Sequence, residues 1–153
     1  MDIAEIVAGA ANSKLFRMLD ITIEKAEADS VVLSMPVDDR VHQYIGIMNG
    51  GVSLLLAESA ASIGAVVSSD LSKVAPVGIE INANHLRPVS RGTVTAEATP
   101  VYHGKTLSVW QVEIKDGRGR LVCISRCTLA LRKGGARFPA KADLSYEPTV
   151  KNS

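Results

Sequence analysis

Aromatic residues make up only 4% of this 153-residue chain, with two phenylalanines, three tyrosines and one tryptophan, so ring stacking is a minor resource for any ligand. An excess of charge of one sign is missing too: 17 Lys and Arg against 16 Asp and Glu leave a formal net charge of +1. That balance argues against a nucleic-acid binder held by bulk electrostatics and leaves only a local basic patch open. Cysteine is nearly absent. Cys123 and Cys127 stand four residues apart on one candidate strand, roughly 13 Å, beyond disulfide reach. Nothing pairs with them as a metal site, so both read as reduced core thiols. The opening Met1-Asp-Ile-Ala-Glu-Ile6 is acidic and lacks the basic and apolar regions of a signal peptide. The apolar run from Val52 to Val67 is short for a membrane span and is interrupted by Glu58 and serines. There is no Ser-His-Asp arrangement, no Gly-rich phosphate loop, no metal-ligand cluster, no repeat and no linker. These absences predict a soluble cytoplasmic domain with no metal, nucleic-acid or membrane partner.

What is present is an ordinary globular composition, 46% hydrophobic and 22% charged. One domain over residues 1–135 and a polar, loose C-terminal tail over 136–153 are expected. Apolar positions at Ile3, Ile6, Val7, Ala10, Leu15 and Leu19 follow a helical period and predict a helix over 3–19. Ile21–Ala28 and Ser30–Pro36 read as a hairpin about Asp29. Residues 38–48 read as loop, and a long apolar helix runs from Asn49, its N-cap, to Ser69. Everything after Ala75 reads as strand: Val77–Leu86, Gly92–Tyr102, Thr106–Lys115 and Arg120–Arg132, with a turn at Asp116-Gly-Arg-Gly119. A helix apolar on all sides needs cover on several sides, which a curled antiparallel sheet supplies. The predicted class is α+β, with the long helix inside the sheet and an N-terminal helix in addition.

The residue with most to explain is Glu58, alone among uncharged neighbours from Gly50 to Val67. A carboxylate is seldom kept in such company unless it is paired or used, because desolvating it costs several kcal/mol, on the order of 5. Gly50 and Gly51 open the same helix, where first-turn N–H groups lack internal partners and lie at the positive end of the dipole. Two glycines there let a ligand oxygen approach the backbone, an oxyanion site, or let the helix pack tightly against a strand. Glu58 lies eight residues beyond Gly50, a rise of about 12 Å. One carbonyl cannot be gripped by both within one subunit. Two antiparallel helices across a two-fold axis would bring them together, so a catalytic reading predicts a dimer with two composite sites. Ser62, one turn after Glu58, either serves that carboxylate and its water or back-bonds to its own helix. His42, Gln43 and His85 are the remaining polar candidates.

The segments His42-Gln-Tyr-Ile-Gly-Ile-Met-Asn-Gly-Gly51, Ala57-Glu-Ser-Ala-Ala-Ser62 and Val77-Gly-Ile-Glu-Ile-Asn-Ala-Asn-His-Leu-Arg-Pro88 resemble the hotdog-fold acyl-CoA thioesterases. Trp110-Gln-Val-Glu-Ile114 and Asp116-Gly-Arg-Gly-Arg-Leu-Val-Cys123 extend the match over about residues 20–132. The branch is the one holding 4-hydroxybenzoyl-CoA, 1,4-dihydroxy-2-naphthoyl-CoA and phenylacetyl-CoA thioesterases and an enterobactin-pathway proofreading enzyme. The resemblance implies a helix wrapped by a curled sheet, assembled as a homodimer and then a homotetramer, with no cofactor beyond the CoA of the substrate. It makes Glu58 the catalytic carboxylate, as general base on water or as nucleophile. It gives Gly50 N–H the thioester oxygen and Gln43 a share in positioning substrate or water. Ser62 and His85 fall along the acyl pocket, with His42 and Gly51 beside them. Arg87, Lys105, Thr106 and Arg132 fall where relatives meet the nucleotide end of CoA, and cations there suit phosphate.

One departure stands out: the branch places His-Gly-Gly at the helix start, and this chain has Asn49-Gly50-Gly51. Asparagine can donate to a carbonyl and cap the helix, but it cannot transfer a proton near neutral pH. Activity is expected to survive if that position only orients and polarises the thioester. A dehydratase of the same fold would need the histidine. An acyl-CoA binding or sensing protein, and a hydrolase of carrier-protein thioesters, are the alternatives. The acyl group expected from the branch is aromatic or medium-sized.

Overall fold

The computed structural model describes residues 2–135, and the tail expected over 136–153 lies outside the described residues. The long apolar segment forms α3 (Gly50–Val67), started where Asn49 holds an extended backbone and its side-chain oxygen accepts from Gly51 N–H at 2.8 Å. Before it come α1 (Ile3–Ala11), α2 (Lys14–Leu19), β1 (Thr22–Glu27), β2 (Ser30–Val37) and a 3-10 turn at Asp39–Val41. After it come β3 (Val74–His85), β4 (Gly92–His103), β5 (Leu107–Asp116) and β6 (Leu121–Lys133). The six strands form one antiparallel sheet in the order β1-β2-β4-β5-β6-β3, with β1 and β3 as edges.

Alternation along the strands puts one row inward: Leu33 and Met35 from β2, Val94 and Ala96 from β4, Val112 and Ile114 from β5, Cys127 and Leu129 from β6. This row closes over Leu56, Ala57, Ala60 and Ala61 of α3, all fully buried. The small α3 residues let the sheet approach closely. Gly64 is one such tight point, where an added Cβ would lie 2.6 Å from Trp110 Cη2 and Cζ3. Trp110 is fully buried, and its indole N–H donates to Ser108 Oγ at 2.7 Å, so the ring brings no unsatisfied donor into the core.

Three expectations are corrected. The helix over 3–19 is two helices, because Ser13 turns extended and its hydroxyl accepts from Phe16 N–H at 3.3 Å, capping α2 afresh. Strand β3 starts at Val74 rather than Val77. Pro76 is tolerated inside it because β3 is an edge strand with one side free of ladder bonds. Finally, α3 is not enclosed on all sides. It is long and apolar enough by length and composition to cross a membrane, although Val52–Val67 read as too short and interrupted for that. Here one face packs on the sheet, and Gly51, Leu54, Leu55, Glu58 and Ser62 line a shallow, open concavity on another. Both cysteines are buried and free.

Candidate active site

The first half of the site is built by the loop that leads into α3. Gly46 takes φ +78°, which only glycine adopts easily, and closes a turn in which Gly46 N–H donates to Gln43 C=O and Gln43 N–H to Ile47 C=O. That turn holds Gln43 at the wall of a cavity of about 450 Å³, shared with Met48, Gly50, Ser53, His85 and Arg87. Gly50 is the first residue of α3, and its N–H donates to no described residue. His85 lies directly over it, with Nε2 2.8 Å from where a Gly50 Cβ would stand. So a free backbone donor, an imidazole and a primary amide face one cavity. The lining contains no carboxylate.

The second half lies on the open face of α3. Glu58 is half-buried and borders a shallow concavity of about 480 Å³ with Gly51, Leu54, Leu55, Ser59 and Ser62. It makes no hydrogen bond or ion pair to any described residue. Ser62 bonds neither this carboxylate nor its own helix, and its hydroxyl is uncommitted among the described residues. Glu58 rests against the edge strand, with Oε1 2.5 Å from where a Gly78 Cβ would stand. Its charge reaches the core as well. Burial first, then the neighbouring Glu58 and Glu80 carboxylates, push the Cys127 thiol up to about 12.

The two halves lie apart along the β3–β6 ladder, one at its His85 end and the other towards its middle. His85 pairs with Cys123 and Gly78 with Leu129, six residues or about 20 Å along β6. The expected nucleotide contacts divide the same way. Arg87 lines the first cavity, and its N–H donates to Val122 C=O. Thr106 C=O accepts from Leu131 N–H, which places Lys105, Thr106 and Arg132 together at the far end. Ten residues of β6, about 33 Å, separate Val122 from Arg132.

Two expected contacts are otherwise engaged. His42 Nε2 meets Ser90 C=O at 2.9 Å, and His42 lines neither concavity. Asn49 spends its Oδ1 on capping Gly51 N–H, and it too lines neither concavity. Ser53 and Gly78 were missed. Ser53 stands one turn after Gly50, a spacing that puts it on the same cavity wall, and glycine within an alternating strand is itself a sign of close approach.

Comparison with known proteins places the chain in a family. The model of the thioesterase superfamily matches residues 45–123. A 1,4-dihydroxy-2-naphthoyl-CoA hydrolase of Listeria monocytogenes is 44% identical over 115 residues, spanning 75% of this chain and 93% of that protein. A solved thioesterase of Pseudomonas aeruginosa, carrying a glutamine-to-alanine change, superposes with a TM-score of 0.79 at 38% identity and covers 87% of this chain and 95% of its own. A solved thioesterase of Staphylococcus aureus, also with a glutamine changed to alanine, gives 0.75 at 37% identity over 78% of this chain and 99% of its own. That protein was solved as well with a glutamate, fifteen positions further along, changed to alanine.

Proposed function

The chain belongs to the thioesterase superfamily, and from that membership we propose a hydrolase of aromatic or medium-sized acyl-CoA thioesters that works across a two-fold dimer. The observation that carries this reading is Glu58: a half-buried carboxylate with no described partner, beside an open concavity, about 12 Å along α3 from the free Gly50 N–H. An antiparallel copy of α3 would set the Gly50 end of one protomer against the Glu58 end of the other. The uncovered edge strand β3, with Val77 43% and Ile79 58% exposed, supports such pairing. The same two-fold would join Arg87 of one protomer to the Lys105, Thr106 and Arg132 end of the other around one nucleotide.

In this reading Gly50 N–H holds the thioester oxygen as it gains charge, Gln43 and His85 orient the thioester, and Asn49 donates from its amide. Ser62 hydrogen-bonds the carboxylate or its water, and Gly51 leaves room beside them. Glu58 then acts in one of two ways. As general base it takes a proton from water, whose oxygen adds to the carbonyl carbon; collapse expels the CoA thiolate and leaves the free acid. As nucleophile its oxygen displaces the thiolate to give a mixed anhydride, which water cleaves. A thiol ionises near pH 8.5, so the leaving group needs no strong acid, and asparagine at position 49 is compatible with turnover. The glutamine and glutamate changed in the Staphylococcus aureus thioesterase are spaced like Gln43 and Glu58, fifteen apart, which supports giving these two the central roles. We extend the proposal to a cytoplasmic homotetramer needing no metal or organic cofactor.

The test is thiol release by purified protein from a panel of aroyl- and fatty acyl-CoAs, with Glu58→Ala alongside. Release that depends on Glu58, fastest on an aroyl or medium-chain thioester, is expected. Release unchanged in Glu58→Ala would remove the carboxylate from the mechanism. Silence on CoA thioesters with release from carrier-protein thioesters would reassign the substrate.

A further inference from the structure

Gly78 has no role in the chemistry described so far, yet it touches the one carboxylate that does. A Cβ built on it would lie 2.5 Å from Glu58 Oε1 and 3.6 Å from the carboxyl carbon. No real side chain tolerates that approach to oxygen, so the present seat of Glu58 requires a residue without one. Backbone conformation is not the reason for glycine here. The described glycines with positive φ are Gly46, Gly92, Gly119, Gly134 and Gly135, and Gly78 is not among them. What the glycine supplies is space.

The strand is also irregular at this point. Gly78 pairs with Leu129 and Glu80 with Thr128, so Ile79 is an extra residue and β3 bulges beside the carboxylate. A bulge bends its strand and re-aims what lies against it. Glu58 has no hydrogen bond or ion pair to a described residue, so its close approach to Gly78 is a steric bound on where the carboxylate can lie.

We propose that Gly78 is a positioning residue for Glu58: its missing side chain, set in the β3 bulge, seats the carboxylate and so fixes its aim across the two-fold. The inference rests on the reading of Glu58 as the catalytic carboxylate. A methyl group at position 78 would push aside the free end of a flexible side chain, not a backbone or a packed ring, so folding is spared and aim is lost. A misplacement of about 1 Å can cost about a hundredfold in rate.

The experiment is Gly78→Ala made in the wild-type protein and in Glu58→Ala, with kcat, KM and melting temperature measured for each. In the wild-type background kcat should fall at least about tenfold with KM within about twofold, the signature of a contact used in the transition state. In the Glu58→Ala background the same change should cost nothing further, since there is no carboxylate left to aim. A Glu58→Asp background supplies a second reading: its shorter side chain stops short of the new methyl, so Gly78→Ala should cost less there. Wild-type kcat in Gly78→Ala beside an inactive Glu58→Ala would overturn the proposal and leave the catalytic reading standing. So would equal losses in all backgrounds, or a Gly78→Ala chain that does not fold. Near-normal turnover in Glu58→Ala would instead remove the reading on which the proposal rests.

Discussion

Near His85 the β3–β6 ladder bears an open cavity with a free backbone N–H, an amide and an imidazole, but no carboxylate. Near Gly78, about 20 Å along the strand, it bears a carboxylate with no partner and only a shallow concavity around it. One end can bind and polarise a carbonyl but has nothing to attack it. The other can activate water or attack, but holds nothing. The two are complementary in chemistry and separate in position along one antiparallel ladder. A two-fold axis is the symmetry that superposes such ends, because it carries each onto the other.

The comparison can be broken most sharply at Glu58. Glu58→Gln keeps the size and polarity of the side chain and removes its basicity. Its kcat should drop by about 10²–10⁴, the usual contribution of a positioned base, with the melting temperature preserved, as steady-state kinetics and calorimetry will show. The other end is next. Gly50→Ala retains the N–H but places a methyl 2.8 Å from His85 Nε2, so the imidazole must move. A loss of about tenfold to a hundredfold in kcat/KM is expected, and an unchanged value would mean that His85 and Gly50 do not share a substrate.

The packed face of α3 gives the stability control. Gly64→Ala drives a methyl to 2.6 Å from the Trp110 ring, which is fully buried and cannot yield as Glu58 can. Denaturant titration should show destabilisation of about 1–3 kcal/mol, with turnover per folded molecule little changed. A further effect is in alkali. Burial, with Glu58 and Glu80 adding to it, raises the Cys127 thiol from 9.0 to about 12. The folded state therefore keeps its proton where the unfolded chain has lost it. The stability from this group is complete below about pH 9 and is lost as pH rises from there toward 12. Urea midpoints for Cys127→Ala and wild type should converge over that range. At neutral pH the native thiol should resist iodoacetamide.

The fold was legible because most of its signals are local. Asn49 before two glycines marked the start of α3, and strict alternation with Asp116-Gly-Arg-Gly119 marked the final strands. Ser13 restarted a helix where periodicity alone read through, a cap signal available in the sequence and outweighed by the apolar count. The open face of α3 was not legible, and the reason is physical. Leu54 and Leu55 are as apolar as Leu56, so composition makes all three look like core. Apolarity does not say which neighbour covers a residue, and in the proposed dimer that neighbour would be the partner subunit. The site was readable as residue types, in Glu58, Gly50, Gln43 and His85, but their division between two ends depends on which residues β3 and β6 place in register. His42 shows the converse. Its position in sequence suggested substrate, and its ring nitrogen instead meets the Ser90 carbonyl.

The division into two ends is tested most directly by mixing two inactive variants, Glu58→Ala and Gln43→Ala, under conditions that let subunits exchange. If each site takes its carboxylate from one protomer and its binding end from the other, half of the sites in every mixed dimer are wild type. Random exchange should then restore about a quarter of wild-type thiol release. Mixtures that stay as inactive as the separate variants, with exchange verified, would place both ends of the chemistry within one subunit and contradict the composite site.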